Sequence, residues 1–431
     1  MNFTLTAIYA ASAFLAIVFT CLKWPTFWLV AFMSIYLVKP ILVLHFPFLH
    51  GLWGYFYDVG VVALALIGIA LNNRRYRSAS NHHLPLYIWF CIFFLAVWVW
   101  FRLPDSRNMQ YGAIKALIFS IFNVLVILLG IVCGKTIQGA KIVTRALVVL
   151  GLCSGLALLA LGRPAQEWEG ARMTFGETNP LAPADFAAYA VIILINYWAA
   201  KRNLISLAYT LIITPLALII ILLTGARGAL FALPFVLVVP FVAFRRPFDF
   251  KVPIFLFTLI LLLCLAFSQI AGNMIVEQRL NKDSVESGLN IRVLLSIIVF
   301  TAWLEAPLLG NGTGDTSVQI DAKFGAISYP HNVLLEIANE LGLIGLAPFL
   351  VLILFAINGA RYLFREMREN NQKWYVVSLF TCFFYQFLLS FKTGSYAGSN
   401  MFYFFLGITI ALTQSLRYEF FEENIDTHRL F

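Results

Sequence analysis

The chain has 431 residues, of which 61% are hydrophobic and only 12% are charged, whereas an ordinary soluble domain carries about 25% charged residues. So few charged side chains cannot cover a water-facing surface, which excludes a soluble enzyme, a disordered chain, a disulfide-rich secreted domain and a single-span receptor with a soluble domain. The net charge of +9 does not indicate nucleic-acid binding, because the basic residues are spread among short loops, where membrane orientation and anionic lipid explain most of them.

Apolar runs of around 20 residues recur along the whole chain, and each is long enough to cross a hydrocarbon core of about 30 Å. They predict an all-α, polytopic membrane protein with 12 or 13 transmembrane helices, because the first two runs can be arranged in more than one way. One large outer loop at 272–332 separates the last three spans from the others. The predicted spans are 3–22, 25–44, 52–71, 85–101, 111–133, 142–161, 181–199, 203–223, 227–243, 252–271, 333–357, 374–390 and 399–416.

Most lysines and arginines lie in the loops of one side, which is therefore predicted to be cytoplasmic. The exceptions indicate function, because cations on the opposite face are not required by topology and suit an anionic ligand there. These exceptions are Arg102, Arg107, Lys115, Arg163, Arg172, Arg227, Arg279, Lys282, Arg292 and Lys323.

The first candidate site residue is Arg227, in the sequence Thr224-Gly225-Ala226-Arg227-Gly228 between two apolar spans. An arginine at mid-span costs about 2.5–3.5 kcal/mol on insertion scales, so such residues usually have a partner or a function. The flanking glycines would let a ligand approach the backbone closely, which favours an anion site. The alternative is an arginine that marks a helix end and extends its charge to the interface.

The second candidate is Arg292, which precedes an amphipathic stretch ending at Trp303. This pattern predicts a helix lying in the outer interface and presenting Arg292. The following segment, Pro307–Gly314, contains three alternating glycines, a pattern that also occurs in ordinary loops.

The third and strongest candidate is His331, in a segment where Pro330 favours a helix start. Helix-dipole potential and nearby arginines would keep His331 neutral and able to accept a proton from a hydroxyl. Asn332, Glu336 and Glu340 recur every four residues and predict a polar stripe on one helix face. The alternative is a packing histidine, although intramembrane glutamates usually face a cavity or a partner.

The fourth candidate is the polar stretch from Arg172 to Pro180, on the same predicted face. Its simpler interpretation is a loop that turns at Asn179-Pro180.

Together these stretches resemble the O-antigen ligase and polymerase superfamily of bacterial inner-membrane proteins. The resemblance covers roughly residues 170–355, and the first 160 residues share only the many-span character. Family patterns often have serine before the arginine where this chain has Ala226, a difference that leaves the charge in place. The motifs are Arg172…Gly176…Asn179-Pro180, Gly225-Ala226-Arg227-Gly228, Arg292 with Trp303 and Pro307-Leu308-Leu309-Gly310, and His331-Asn332-Val333-Leu334-Leu335-Glu336 continuing through Glu340-Leu341-Gly342-Leu343-Ile344-Gly345.

The resemblance implies an inverting glycosyltransferase that needs no metal or other cofactor. Its donor would be a glycan on undecaprenyl pyrophosphate and its acceptor a sugar hydroxyl of lipid A–core. His331 would act as general base, while arginines would stabilise the charge that develops on the pyrophosphate. Arg227 and Arg292 are the predicted catalytic arginines. The predicted substrate-binding residues are Arg172, Asn179, Asn332, Glu336, Arg102, Arg163 and Arg279.

The implied organisation has N-terminal transmembrane helices at 1–160, a ligase- or polymerase-like catalytic region at 161–358, and C-terminal helices with a cytoplasmic tail at 359–431. The protein would lie in the bacterial inner membrane with its active site facing the periplasm. Its expected partners are the lipid-linked donor, the lipid A–core acceptor and membrane lipids, with no nucleic acid.

Three alternatives remain at this point. A polymerase or an O-linked protein oligosaccharyltransferase would differ only in its acceptor; chain length and the single large outer loop favour a ligase. A lipid-linked glycan flippase or other transporter would show repeated halves and charges along a central path. Here no repeat is visible and the cations lie on one face.

Overall fold

The predicted apolar spans are helices wherever the computed structural model describes them. The described residues are 25–35, 37–39, 42, 52–75, 84–164, 173–174, 179, 181–244, 282–324, 329–366, 372–392 and 394–429. Within these ranges nearly all of the backbone is helical, and the sheet structure amounts to β1 (Arg163–Pro164) paired antiparallel with β2 (Met173–Thr174). The prediction of an all-α polytopic membrane protein is confirmed.

The described helices, in chain order, have the following bounds. They are α1 (Pro25–Met33), α2 (Leu52–Arg75), α3 (Leu86–Phe101), α4 (Met109–Leu117), α5 (Val124–Gly134), α6 (Ile137–Leu161), α7 (Leu181–Lys201), α8 (Leu204–Leu223), α9 (Arg227–Val236), α10 (Val239–Ala243), α11 (Lys282–Glu305), α12 (Asp315–Phe324), α13 (Val333–Glu366), α14 (Lys373–Ser390) and α15 (Asn400–Arg429).

Seven segments of the described chain are long and apolar enough to cross a membrane. The predicted spans at 3–22 and 252–271 lie outside the described residues, so the total of 12 or 13 stays a prediction. The predicted span at 111–133 is α4 and α5 joined by a wider π-helical turn at Ile118–Asn123. The predicted span at 227–243 is two short helices, α9 and α10, with Pro234 inside the first and Pro240 in the first turn of the second.

The N-terminal part of α15 lies at the centre of the bundle, where Phe402, Phe404 and Phe405 are buried. It packs against α5, α13 and α14. Glycines bring α5 and α15 close together: a Cβ at Gly407 would lie 2.3 Å from the carbonyl oxygen of Ile127. Small residues at such a crossing allow tight packing between membrane helices, where van der Waals contact is a main source of association.

Helix α13 is interrupted at Gly342, whose φ of 68° and ψ of −172° are not helical. A regular helix would join the amide of Leu343 to the carbonyl of Asn339, and the amide of Ile344 to that of Glu340. Here the segment 307–312 inserts at the interruption and satisfies all four groups. The two amides donate to the carbonyls of Pro307 (2.9 Å) and Leu308 (3.2 Å). The two carbonyls accept from the amides of Asn311 (2.7 Å) and Gly312 (3.1 Å).

The glycines of this inserted segment therefore have a structural function. Gly310 and Gly342 both have positive φ, and a Cβ at either would lie within 2.6 Å of backbone atoms on the other side of the junction. The glycine-rich segment after Trp303 thus connects α11 to α13 through close backbone contacts. Glycine is required at Gly310 and Gly342, because a larger residue would be strained by the positive φ and would clash with the facing backbone.

The glycine crossing of α5 and α15 gives the first testable prediction. Gly407→Ala should lower the free energy of unfolding by about 1–3 kcal/mol, because the added Cβ meets the backbone of α5. The matched control is Gly60→Ala on α2, where a Cβ would meet nothing within 4 Å. Thermal unfolding of the purified variants in detergent measures both, and equal melting temperatures would contradict the packing described here.

Candidate active site

His331 lies two residues before the first residue of α13, in a left-handed backbone conformation with φ of 57°. The helix begins at Val333, three residues later than Pro330 suggested, because Asn332 caps it: its side-chain oxygen accepts from the amide of Leu335 at 3.1 Å. The ring of Tyr329 packs edge-on against the imidazole, with centroids 4.6 Å apart. The left-handed turn, the Asn332 cap and the tyrosine ring hold His331 at the N-terminus of α13.

The imidazole of His331 is neutral at physiological pH. Burial and the positive charge of Arg292 together lower the pKa of His331 to about 4. A neutral imidazole can accept a proton, so the charge state agrees with a general base.

Arg227 and Arg292 belong to one cluster of positive charge beside His331. Arg227 begins α9 and Arg292 projects from α11. Burial, followed by the charge of Arg227, lowers the pKa of Arg292, which shows that the two guanidinium groups act on each other. The structure therefore brings together two arginines and a histidine that lie up to 104 positions apart in the sequence (331 − 227).

Lys392 joins the same cluster and was missed by the sequence analysis. It lies between α14 and α15, and burial together with the charges of Arg292 and Arg227 lowers the pKa of Lys392 to about 8. One signal could have identified it: the connection between the predicted spans 374–390 and 399–416 lies on the face where cations are scarce.

An open apolar groove of about 440 Å³ starts at Arg292 and runs along α11. Five of its six lining residues lie on α11 and the sixth on α13. They are Arg292, Val293, Ser296, Ile297, Phe300 and Leu335. A ligand with an anionic head and a hydrocarbon tail could place its head at the cation cluster and its tail in this groove.

Glu336 and Glu340 form ion pairs with a buried lysine. The Lys115 ammonium lies 2.6 Å from one oxygen of each carboxylate. The other oxygen of Glu336 accepts from the amide of Tyr396 at 2.8 Å. The other oxygen of Glu340 accepts from the hydroxyl of Tyr396 (3.0 Å) and the amide of Gly314 (2.8 Å). This network ties α4, α13 and the connection before α15 together one turn below His331.

The remaining predicted substrate-binding residues do not join the cluster in the described part of the chain. Arg102 is buried, pairs with Asp105 at 2.6 Å and donates to the carbonyl of Gly310 at 2.9 Å. Asn179 is exposed, and its side-chain oxygen accepts from the amide of Leu181 at the start of α7. Arg163 lies in β1, whereas Arg172 and Arg279 lie outside the described residues. Substrate binding by these residues stays a prediction.

Other outer-face cations also have protein partners. Arg107 lies 3.7 Å from Asp315, and Lys115 is held by its two glutamates. Part of the positive charge that the sequence places on this face is therefore structural. Across the ranges that the structure describes, no three His, Cys, Asp or Glu side chains lie close enough to hold a metal ion.

Comparison with known families identifies the segment that carries this cluster. Residues 211–350 match the family described as O-antigen ligase. The matched segment covers 140 of the chain's 431 residues. It contains Arg227, Arg292 and His331, and it ends before Lys392. No curated protein matches the chain significantly.

The match confirms the resemblance to the O-antigen ligase and polymerase superfamily. The matched segment lies inside the predicted catalytic region 161–358, whose bounds stay a prediction. The family implies a glycosyltransferase-type ligase or polymerase that acts on lipid-linked glycans, and the apolar helices make the chain a multi-pass membrane protein.

The buried network gives a prediction about stability. Lys115→Met should lower the free energy of unfolding by about 3–5 kcal/mol, because two buried carboxylates lose their counter-ion. Lys323→Met is the matched control: Lys323 is exposed on α12 and should change stability by no more than about 0.5 kcal/mol. Thermal unfolding in detergent compares them, and similar curves would show that the lysine contributes little.

The pKa of His331 gives a prediction about reactivity. Diethylpyrocarbonate modifies neutral imidazole, so the modification rate of His331 should stay nearly constant between pH 7 and 5.5, since its pKa is about 4. An ordinary histidine with a pKa of about 6.5 would lose about nine tenths of its neutral form over that range. Peptide mass spectrometry follows His331 separately from the other histidines, and a tenfold fall in its rate would disprove the lowered pKa.

Proposed function

We propose that this protein is an O-antigen ligase, which transfers a glycan from undecaprenyl pyrophosphate to a sugar hydroxyl of lipid A–core. The observation that carries the proposal is the convergence of a neutral His331 with Arg227 and Arg292 at the end of an apolar groove. A base, an anion site and a hydrocarbon site are the three elements that this reaction needs. The match of residues 211–350 to the O-antigen ligase family supports the same assignment.

His331 is the general base of the proposed reaction. The acceptor hydroxyl gives its proton to the imidazole as its oxygen attacks the anomeric carbon of the donor. The new carbon–oxygen bond forms on the face opposite the pyrophosphate, which inverts the configuration. The lowered pKa of His331 ensures that the imidazole is unprotonated before the reaction begins.

Arg227 and Arg292 stabilise the leaving group. When the glycosidic bond breaks, its electron pair moves to the bridging phosphate oxygen, and negative charge grows on the pyrophosphate. Guanidinium groups held at a half-buried site stabilise that charge more strongly than water-exposed ones would, because the local dielectric constant is lower. Arg172, a predicted substrate-binding residue that lies outside the described residues, is a further candidate for this role.

The apolar groove beside Arg292 holds the undecaprenyl chain. Val293, Ile297 and Phe300 present hydrocarbon side chains along one side of α11. The isoprenoid is a long apolar chain, so its burial here supplies binding energy while its pyrophosphate stays at the cation cluster. The proposed arrangement places the chemistry at the periplasmic face of the inner membrane.

In the proposed mechanism Asn332 and Glu336 support the base. Asn332 caps α13, and Glu336 joins the Lys115 network below it. Their hydrogen bonds position the backbone that carries His331. Contact of either side chain with substrate stays a prediction.

The function is tested by deleting the gene in its host and comparing lipopolysaccharide ladders. Loss of all polymer on the core, with long glycan accumulating on the lipid carrier, is the expected result. Wild type should restore the ladder and His331→Ala should not, while donor binding by the purified variant persists. Purified wild-type protein should also transfer glycan in the presence of EDTA, because the proposed mechanism uses no metal.

Other outcomes would replace the proposal. Collapse to a core bearing one repeat indicates a polymerase. An unchanged ladder would exclude ligase and polymerase and favour protein glycosylation or transport. Full activity of His331→Ala would remove His331 from the role of base.

A further inference from the structure

Lys392 lies across the first turn of α9, next to Arg227. Its amide donates to the carbonyl of Leu389 at 2.8 Å and so ends α14. Its ammonium lies 3.6 Å from the position that a Cβ of Gly228 would occupy, and 5.4 Å from the ring centroid of Phe231. The lysine side chain therefore lies against the start of α9, which carries Arg227.

Among the residues that the structure describes, no negative charge offsets that of Lys392. The charges that act on it are those of Arg292 and Arg227, and both are positive. No carboxylate in the described ranges forms an ion pair with it. Half-burying an ammonium beside two guanidinium groups is unfavourable, unless an anion occupies the space between them during function.

We propose that Lys392 is the third cation of the donor site and contacts the pyrophosphate as it leaves. This inference rests on the proposed function and extends it from the matched segment to the last connection of the chain. A glycosyl pyrophosphate diester carries two negative charges. Once the glycosidic bond breaks and its electron pair stays on the phosphate oxygen, the released undecaprenyl pyrophosphate carries about three.

Three cations therefore match the leaving group better than the intact donor. Two arginines balance the two charges of the donor, and Lys392 balances the charge that appears during bond breaking. An interaction that strengthens in this way lowers the barrier more than it tightens substrate binding. Lys392 should also help the site to distinguish pyrophosphate from a monophosphate on the same lipid.

The test uses the full-length protein in nanodiscs, with undecaprenyl pyrophosphate and undecaprenyl monophosphate as probes. Wild type should bind the pyrophosphate more tightly. Lys392→Met should weaken pyrophosphate binding by about tenfold or more and change monophosphate binding little, because one charge-assisted contact is lost. Lys392→Arg, which keeps the charge, should retain most of the preference.

Turnover provides the second measurement. Lys392→Met should lower kcat more than it raises KM for the donor, with an unchanged melting temperature as the control for folding. A melting temperature that falls while pyrophosphate preference persists would show a structural lysine and overturn the inference.

The failure of this inference can be told apart from failure of the proposed function. If wild type transfers glycan and Lys392→Met matches it in both assays, the inference alone is wrong. If wild type shows the Lys392-dependent preference but transfers no glycan to lipid A–core, the inference stands and the ligase assignment fails. If wild type itself binds the pyrophosphate no more tightly than the monophosphate, Lys392 does not contact the second phosphate and the inference is wrong.

Discussion

The site depends first on one buried ammonium. Lys115 comes from α4 and lies between Glu336 and Glu340 of α13, at 2.6 Å from each. Buried charges are retained in membrane helices only when they are paired, and this pair joins the first half of the chain to the last. Since Glu336 lies just over one helical turn from His331, the ion network anchors the first turns of α13, next to His331.

The interruption at Gly342 explains how α11 reaches the same place. A continuous α13 would leave no backbone groups for the segment 307–312, whereas the interrupted helix offers two carbonyls and two amides. Their four hydrogen bonds anchor the end of α11, and α11 packs against α13 with Arg292 near His331. Backbone amides and carbonyls that would be costly to leave unpaired inside a membrane thus form the hydrogen bonds that hold α11, the helix that lines the groove.

The sequence alone predicted the features that depend on local composition. Apolar run length predicted the helices, and isolated cations on one face predicted Arg227 and Arg292. Contacts between distant segments were not predictable: the pairing of Glu336 with Lys115 spans 221 positions, and nothing local marks it. The predicted span at 333–357 begins where α13 begins, whereas the helix start inferred from Pro330 was three residues early, because the left-handed His331 and the Asn332 cap delay the helix to Val333. Lys392 was missed because no motif surrounds it, although its place on the outer face was a usable signal.

The electrostatics of the cation cluster favour an anionic ligand over a neutral one. Burial and then the charge of Arg292 lower the pKa of His331, and burial and then the charges of both arginines lower the pKa of Lys392, so the positive charges of this cluster act against one another. In the proposed mechanism a bound pyrophosphate would reduce this repulsion, and its negative charge would raise the proton affinity of His331 when the acceptor hydroxyl must be deprotonated. Donor binding would therefore strengthen the base, which couples occupancy of the anion site to activation of the acceptor. A histidine with the same low pKa but no anion site beside it would remain a weak base throughout.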